Sequence, residues 1–500
     1  MWLMCLKWDL RIEDHVALTE AAMLRPVLLL YILEPELRKQ PDFSHHHCQF
    51  LTECLEKLDL VLETLGQKLI IKVGGVDILQ LVHKHHAIQG LWSHQETWSG
   101  WTYARDKRVN QWAKVNNMQW HEPTQNGVIR CLKHLDGRAG CWCKQMKNLV
   151  LPPPKTLQAV DEISGTLPSV QELEVPDDGC IRSQKGVYHA RLKLPQTFLH
   201  EPGESYTKAM SSPVTAFEIC SRLSVHITFG APSMREVFWG SEEPNQEIKH
   251  ILRVRKGKWP SALHSFSGRL CWYCYFIQKL EDEPCIEFEN MHPAYDSLRK
   301  NDFNVDYFKA CKEGKIGYLM VDACMCTLTA TGWLNFQMRA MLMSFASYHL
   351  WLHWREPALH LARLFKHYEP GIHYSQAQMQ SCAIGINSIQ IYNPIKQGIG
   401  RYLDEAFIRE WIPELADMPR EYIHAPWKVL PKMNGCSMSI VDEKIVHTEA
   451  ADKLYGLRKN AGYKEVSNKI LNKHGSPKPG LPRTVRRKKM KNKTQGELPL

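Results

Sequence analysis

The stretch from Gly317 to Trp427 constrains the fold more than any other part of the chain. It reads G-Y-L-M-V-D-A-C-M at Gly317–Met325, T-G-W-L-N-F-Q-M-R-A-M-L at Thr331–Leu342 and W-R-E at Trp354–Glu356. I-Y-N-P-I-K-Q-G follows at Ile391–Gly398, then F-I-R-E-W-I-P-E-L at Phe407–Leu415 and I-H-A-P-W at Ile423–Trp427. These are apolar helical stretches with Trp, Asn, Gln and His at the turns. Polar groups threaded through so apolar a segment need partners once buried, and a large polar ligand would supply them.

The beginning of the chain has a different period. Trp2–Leu6 is a short apolar strand, and Val27–Leu33 (V-L-L-L-Y-I-L) is apolar throughout, as a parallel strand covered on both faces should be. A helix is expected over Cys48–Leu65, a strand over Leu69–Val73, a helix over Val76–His85 and a strand over Gly90–Ser93. Strand and helix alternate, which predicts an α/β layered domain with a parallel sheet. No glycine-rich dinucleotide fingerprint follows the first strand, which speaks against an ordinary NAD site. The stretch Leu149–Pro195, with Pro152–Pro154 and few apolar periodicities, reads as a connection, and from Gln196 onward the pattern is helical.

Charge and cysteine narrow the class. Residues 469–500 hold ten Lys or Arg against one acid, Glu497, and so carry +9 of the net +10. The body is close to neutral and only the tail is basic. Such blocks are usually disordered; this one either attracts nucleic-acid phosphates in a salt-sensitive way or serves as a solubilising end. The 16 cysteines are scattered, and Met1–Leu10 lacks the charged region and apolar core of a signal peptide. No apolar run of about 18 residues occurs, so no membrane span is expected. Together these predict a cytoplasmic protein with free thiols. The C-x-x-C of Cys271 and Cys274 has no second well-spaced pair to complete the four thiolates of an iron–sulfur cluster, so no metal is expected.

Several of these motifs, in this order, resemble the photolyase/cryptochrome family. K-W-D-L-R-I-E-D-H at Lys7–His15 is similar to the family's opening motif, with Asp9, Leu10, Arg11 and Asp14 kept and Trp8 in place of the usual Arg. The resemblance covers about residues 2–130 and 196–427. It implies an α/β (Rossmann-like) N-terminal domain over 1–130, an interdomain connection over 131–196, an all-α FAD-binding domain over 197–430 and a C-terminal extension over 431–500. Some members carry an antenna chromophore in the N-terminal half; no residue set here identifies one.

The family's cofactor contacts map onto particular residues. Tyr206 stands where a Tyr touches the flavin nucleotide. Ser221, Leu223 and Ser224 match T-S-x-L-S, a turn at a helix start that offers donors to phosphates, with Cys220 replacing the Thr. Arg339 is the expected partner of the flavin's polar edge, and the Asp it pairs with in the family is His349 here. Glu369 matches an acid that binds the nucleotide, and His373 falls near the reactive ring. Trp354 matches the middle member of a tryptophan chain that carries electrons to the excited flavin, with Tyr374 as inner and Tyr295 as outer member.

On the DNA side, Trp272 keeps the tryptophan that stacks on a flipped-out pyrimidine, and Gln397 holds a DNA-facing position. Arg269 stands where repair enzymes place a Glu, Tyr273 where they place an Arg, and Phe336 where they have an Asn. An Arg cannot accept a hydrogen bond from a damaged base. The resemblance therefore implies a monomeric, blue-light-driven FAD photolyase acting on UV-damaged DNA. A cryptochrome-like photoreceptor without repair is the other reading.

Overall fold

The computed structural model describes residues 1–475 except 25, 133–136, 170, 182–183, 187–200, 251–256, 301, 402–404, 416–417, 420–421 and 424–438. Positions 424–427 of the I-H-A-P-W motif and the tail from 476 thus lie outside the described residues.

Five parallel strands form one sheet: β1 (Trp2–Leu6), β2 (Val27–Leu33), β3 (Ile70–Val73), β4 (Gly90–Trp92) and β5 (Gln119–His121), in the order β3-β2-β1-β4-β5. Successive side chains of β2 enter different cores. Leu28 and Leu30 pack with Leu3, Ile70, Ile78 and Val82 on one face. Leu29 and Tyr31 join Met4, Leu55 and Leu58 on the other. Both faces are covered, which is why the strand is apolar throughout. Helices α1 (Val16–Met23), α2 (His45–Thr64), α3 (Asp77–His86) and α4 (Gly100–Val115) flank the sheet.

Helix α4 and strand β5 escape the sequence pattern for a physical reason. The buried face of α4 is Thr102, Arg105, Asp106, Val109 and Ala113, so it has no apolar stripe to read. Its Arg105 lies in the crevice at the carboxyl ends of the strands, the usual ligand position of such sheets. There Nη1 meets Glu34 at 2.6 Å, Nε meets Asp106 at 2.9 Å, and the third nitrogen meets Glu96. Lys7 adds a 3.0 Å bridge to Asp106. This charge network fills the crevice down to about 50 Å³.

Beyond the connection the chain is helical. The principal elements are α5 (Arg138–Met146), α6 (Ser224–Thr228), α7 (Met234–His250), α8 (Trp259–Asp282), α9 (Leu319–Thr331) and α10 (Phe336–Ser344). They continue with α11 (Arg355–Leu364), α12 (Pro370–Gln380), α13 (Pro394–Arg401), α14 (Glu443–Leu457) and α15 (Tyr463–His474). The basic segment expected to start as a tail at 469 is thus helical to His474, where Tyr275 Oη bonds the His474 carbonyl at 2.5 Å. In G-Y-L-M-V-D-A the Asp322 carboxylate accepts from the Ile316 and Gly317 amides at 2.9 and 2.8 Å and folds the turn into α9. Helix α12 crosses α8 so closely that a Cβ on Gly371 would stand 2.6 Å from Ile277 Cα.

The opening motif joins the two halves. Leu10 N–H donates to Phe229 O at 3.2 Å, Arg11 Nη1 to Gly230 O at 3.0 Å, and Arg235 grips both oxygens of Asp14 at 2.8 Å. Gly230 has φ +69, and a Cβ there would lie 2.2 Å from the Trp8 carbonyl, so this contact requires glycine. Asp9 accepts from His94 Nδ1 at 2.8 Å, and His15 Nε2 lies 3.1 Å from the same carboxylate oxygen. His15 Nδ1 accepts the Leu18 N–H at 3.0 Å, which places its proton on Nε2. That nitrogen therefore turns a proton toward Asp9 rather than a lone pair, which suits a buried polar clamp better than a metal-ligand set. Among the described residues no helix is long and apolar enough to cross a membrane.

Burial holds His15, His46 and His47 below the ordinary histidine range and pushes His94 down to about 3. The unfolded chain therefore binds protons that the native state refuses, and stability rises with pH in that window. Unfolding free energy is expected to fall steadily from pH 6.5 toward 3, with a shallower slope in His94→Gln, as measured by urea titration at each pH.

Candidate functional site

The site is built where the turn before α6, helix α8, the start of α10 and the start of α12 meet. Arg222 occupies a left-handed turn position, φ +54, ahead of α6. Its guanidinium carbon lies 4.1 Å over the Trp333 ring and 4.9 Å over Phe217, and Nε has no hydrogen-bond partner. Arg339 on α10 lies 3.5 Å over Phe365, again with Nε unpartnered. Burial alone brings Arg339 down to about 9, and burial brings Arg222 down to about 10. His367 is held well below its usual range by burial and then by the fields of Arg339 and Arg222. Glu369, two residues on, is buried and pushed well above the carboxylate range, which makes it a poor counter-ion. Desolvated cations without counter-ions cost several kcal/mol each, and a bound polyanion relieves that cost. The diphosphate of a dinucleotide fits this set.

Two more residues of the helical half leave buried polar atoms without partners. Asn335 ties the segment after Tyr206 to α10 through Nδ2 bonds to Met210 O and Ser211 O, at 3.3 and 2.8 Å, and leaves Oδ1 buried without a partner. His349 stacks on Phe345 at 4.7 Å inside a π-helical turn, Phe345–His349, with both ring nitrogens unpartnered. Such turns often mark functional sites. No hydrogen bond joins His349 to Arg339 among the described residues, so with His349 in place of the family's Asp the pair is altered.

The other anticipated residues divide. Tyr206, buried, bonds Arg269, and Arg269 lies 5.4 Å over Phe336, so these three share the mouth of the site. Ser221 Oγ accepts from the Leu223 amide at 3.5 Å, and Ser224 opens α6. The Leu223 side chain packs with Val237, Leu263 and Phe266, which leaves only its backbone for a ligand. Glu369 caps α12 through Gly371 N–H at 3.4 Å. His373 donates Nε2–H to the Ala358 carbonyl at 2.7 Å, which commits that nitrogen to the core, and burial brings it down to about 4. Trp272, one turn along α8 from Arg269, is 47 % exposed, and Phe336 is 48 % exposed. Gln397 on α13 keeps its amide oxygen buried and unpartnered. No hydrogen bond or ring contact among the described residues joins Gln397 to Arg269 or Trp272.

Trp354 is buried, with Nε1 donating to Asn290 Oδ1 at 2.7 Å and its ring 6.3 Å from that of Tyr374. Tyr295 is not its other neighbour. The Tyr295 ring meets His292 and Tyr463, and its hydroxyl bonds Tyr463 Oη at 2.7 Å. Sequence reasoning missed Arg222 and His367. The signal for Arg222 was available, a lone Arg inside the C-S-R-L-S turn; His367 carries none.

A flavoprotein with a helical nucleotide site and an α/β companion domain is the class these features define. Two family models match the chain: the FAD binding domain of DNA photolyase over residues 266–455, and DNA photolyase over residues 2–139. The deoxyribodipyrimidine photo-lyase of Streptomyces griseus is 24 % identical over 446 residues, 84 % of this chain and 91 % of that protein. Cryptochrome-1 of Arabidopsis thaliana is 27 % identical over 477 residues, 84 % of this chain but only 63 % of its own length. The fold is shared with a class III photolyase from Agrobacterium tumefaciens (TM-score 0.79, 21 % identity, 92 % of this chain and 98 % of that one). It is also shared with a Synechocystis cryptochrome (TM-score 0.78, 17 % identity, 90 % and 98 %). The chain belongs to the photolyase/cryptochrome family, and its cofactor is FAD. The match extends to 455, beyond the limit near Trp427 expected from the sequence, because α14 packs into the same body.

Arg339→Met removes the buried charge and keeps the aliphatic stem. It is expected to raise the melting temperature of the FAD-free protein while weakening FAD binding about tenfold to a hundredfold, the usual worth of a charged hydrogen bond. Differential scanning fluorimetry and flavin-fluorescence titration read the two effects separately.

Proposed function

We propose that the protein is a light-driven DNA photolyase whose lesion pocket opens beside Trp272 and Arg269. The observation that carries this reading is the mouth of the site, where a half-exposed indole and a guanidinium stand one helical turn apart above the buried cation set. A lesion must leave the duplex stack to be reached, and damaged bases cost less to extrude. Trp272 offers the ring on which an extruded pyrimidine stacks, a contact worth about 1–3 kcal/mol. Arg269 holds a flanking phosphate or a lesion carbonyl, and Gln397 steadies the strand. Arg222, Arg339 and His367 hold the FAD diphosphate and polar edge; Tyr206 and the turn Ser221–Ser224 shape the nucleotide end, and Glu369 lies at the start of α12. FAD, when bound, reduced and excited by blue light, supplies the electron that splits the photoproduct. That electron would return to the flavin from the split product, so Trp354 and Tyr374 serve only to bring oxidised flavin to its reduced state before repair.

The α/β crevice is closed by Arg105, so an antenna chromophore would sit in the cleft of about 600 Å³ lined by Trp98, Tyr103, Leu280 and Lys473. The Sulfolobus tokodaii photolyase, similar in fold (TM-score 0.76, 21 % identity, 91 % of this chain and all of that one), holds two FAD molecules, one implicated as a light-harvesting cofactor. The basic tail adds salt-sensitive attraction to DNA, and the protein acts as a cytoplasmic monomer. A cryptochrome-like receptor is the second reading. It is favoured by Arg269 and Phe336, which occupy each other where lesion-contacting acid and amide groups would stand.

The deciding experiment uses FAD-loaded, photoreduced protein on oligonucleotides carrying cyclobutane dimers or (6-4) products, under blue light with a dark control. Light-dependent loss of either lesion is the expected result, with Trp272→Ala weakening damaged-DNA binding about tenfold or more. Flavin photoreduction without loss of either lesion would overturn repair and leave the receptor.

A further inference from the structure

A continuous ladder of oxidisable rings runs from Trp354 to the boundary between the two halves. Trp354 and Tyr374 are 6.3 Å apart between centroids, Tyr374 and Tyr368 6.2 Å, and Tyr368 and Trp98 5.8 Å. Trp98 stacks on Trp8 at 4.3 Å with 17° between planes. Trp98 also lines the wide cleft that opens to solvent. The sequence reading absorbed only the first two rings of this series.

Hydrogen bonding makes the rungs unequal. Tyr368 Oη donates to Asp42 Oδ2 at 2.5 Å, and Tyr374 Oη donates to the same oxygen at 3.2 Å. Trp8 Nε1 donates to Glu96 Oε1 at 3.1 Å. Trp354 Nε1 faces only the neutral amide oxygen of Asn290, at 2.7 Å. An oxidised phenol is a strong acid and must release its proton, so a tyrosine is oxidised readily only where a base waits at hydrogen-bond distance. Both tyrosines are buried, and burial together with the Asp42 charge keeps them as phenols until that step. The carboxylates lie at the interdomain end and the neutral amide at the Trp354 end, so an electron vacancy is stabilised by moving away from Trp354.

We propose that Tyr368, with Asp42 as proton acceptor, is the resting place of the electron vacancy created when the flavin is photoreduced, and that Trp98 and Trp8 connect it to the interdomain cleft. The proposal rests on the light-driven reading above. One electron leaves the ladder for the excited, oxidised flavin, which is the oxidant. The vacancy passes through Tyr374 to Tyr368, the phenolic proton moves to Asp42 Oδ2, and a neutral phenoxyl remains. A small-molecule thiol in the cleft then returns one electron by way of Trp98, and Asp42 returns the proton.

The test follows FAD-loaded, full-length protein by electron paramagnetic resonance and transient absorption after a blue flash. A long-lived neutral tyrosyl signal is expected in the wild type, forming more slowly in D2O. Tyr368→Phe and Asp42→Asn are expected to lose it, and together with Trp98→Phe to slow steady photoreduction with thiol about tenfold. Each variant's FAD content reports folding. Lesion repair by Tyr368→Phe and Asp42→Asn after dithionite reduction bypasses the ladder and is expected to stay at the wild-type level. A wild type that yields only a tryptophanyl radical, or photoreduction within about twofold of wild type in both Tyr368→Phe and Asp42→Asn, overturns the ladder whatever the repair result. Tyrosyl-dependent photoreduction without repair overturns the repair reading and leaves the ladder standing.

Discussion

The helical half is organised around two guanidiniums, Arg222 and Arg339, whose Nε atoms are buried and which have no carboxylate partner among the described residues. A buried, unpaired cation costs several kcal/mol, and here the protein recovers only part of it. The faces of Trp333, Phe217 and Phe365 offer cation–π attraction of about 1–2 kcal/mol. Glu369, held well above the carboxylate range by burial, is a poor counter-ion for them. Such a site is strained while empty and relaxed when a diphosphate fills it, so binding energy for FAD is stored in the folded chain. The polar atoms left unpartnered nearby, Asn335 Oδ1 and the nitrogens of His349, belong to the same arrangement.

That strain is carried by a core that does not stop at the domain boundary. Met4, Leu29 and Tyr31 of the sheet share one apolar cluster with Phe229, Trp354 and Phe365 of the helical half. The opening motif fastens the two: Arg11 to Gly230, Asp14 to Arg235, and Asp9 between His15 and His94. A motif that reads on its own as a charged turn is therefore an interdomain fastening, with its polar atoms turned inward. The exception is Trp8. In the position of the family's arginine, it turns the fastening into one side of an aromatic stack with Trp98.

What could be read from the sequence follows from what drives each element. Strands β1 to β4 and helices α2 and α3 announce themselves because their burial is apolar and periodic. Helix α4 does not, because it buries Arg105 and Asp106 as a charge network, and a network is invisible until its partners Glu34 and Glu96 are brought alongside. The same holds within the site. Trp354, Arg339 and Tyr206 are legible because their motifs are local. That His349 replaces the Asp beside Arg339 was legible, but the stacking of its ring on Phe345 inside a π-helical turn was not, since no linear pattern announces such a turn. Tyr295 fails as the outer relay because α15, outside the recognised motifs, supplies Tyr463 to bond it.

Asp42 was illegible for a stronger reason. It stands in the turn ahead of α2, in the α/β half, more than 300 positions from the two tyrosines it serves. A tryptophan chain can lie entirely within a helical domain, since an indole can lose an electron and keep its proton for a time. A tyrosine needs a base at once, and among the described residues the carboxylate bonded to both phenols is Asp42. The base comes from across the boundary, from the same α/β half in which Glu96 bonds Trp8. Redox competence in this chain therefore depends on the docking of the two halves. The fastening at Asp9, Arg11 and Asp14 thereby sets the distance over which the proton must move.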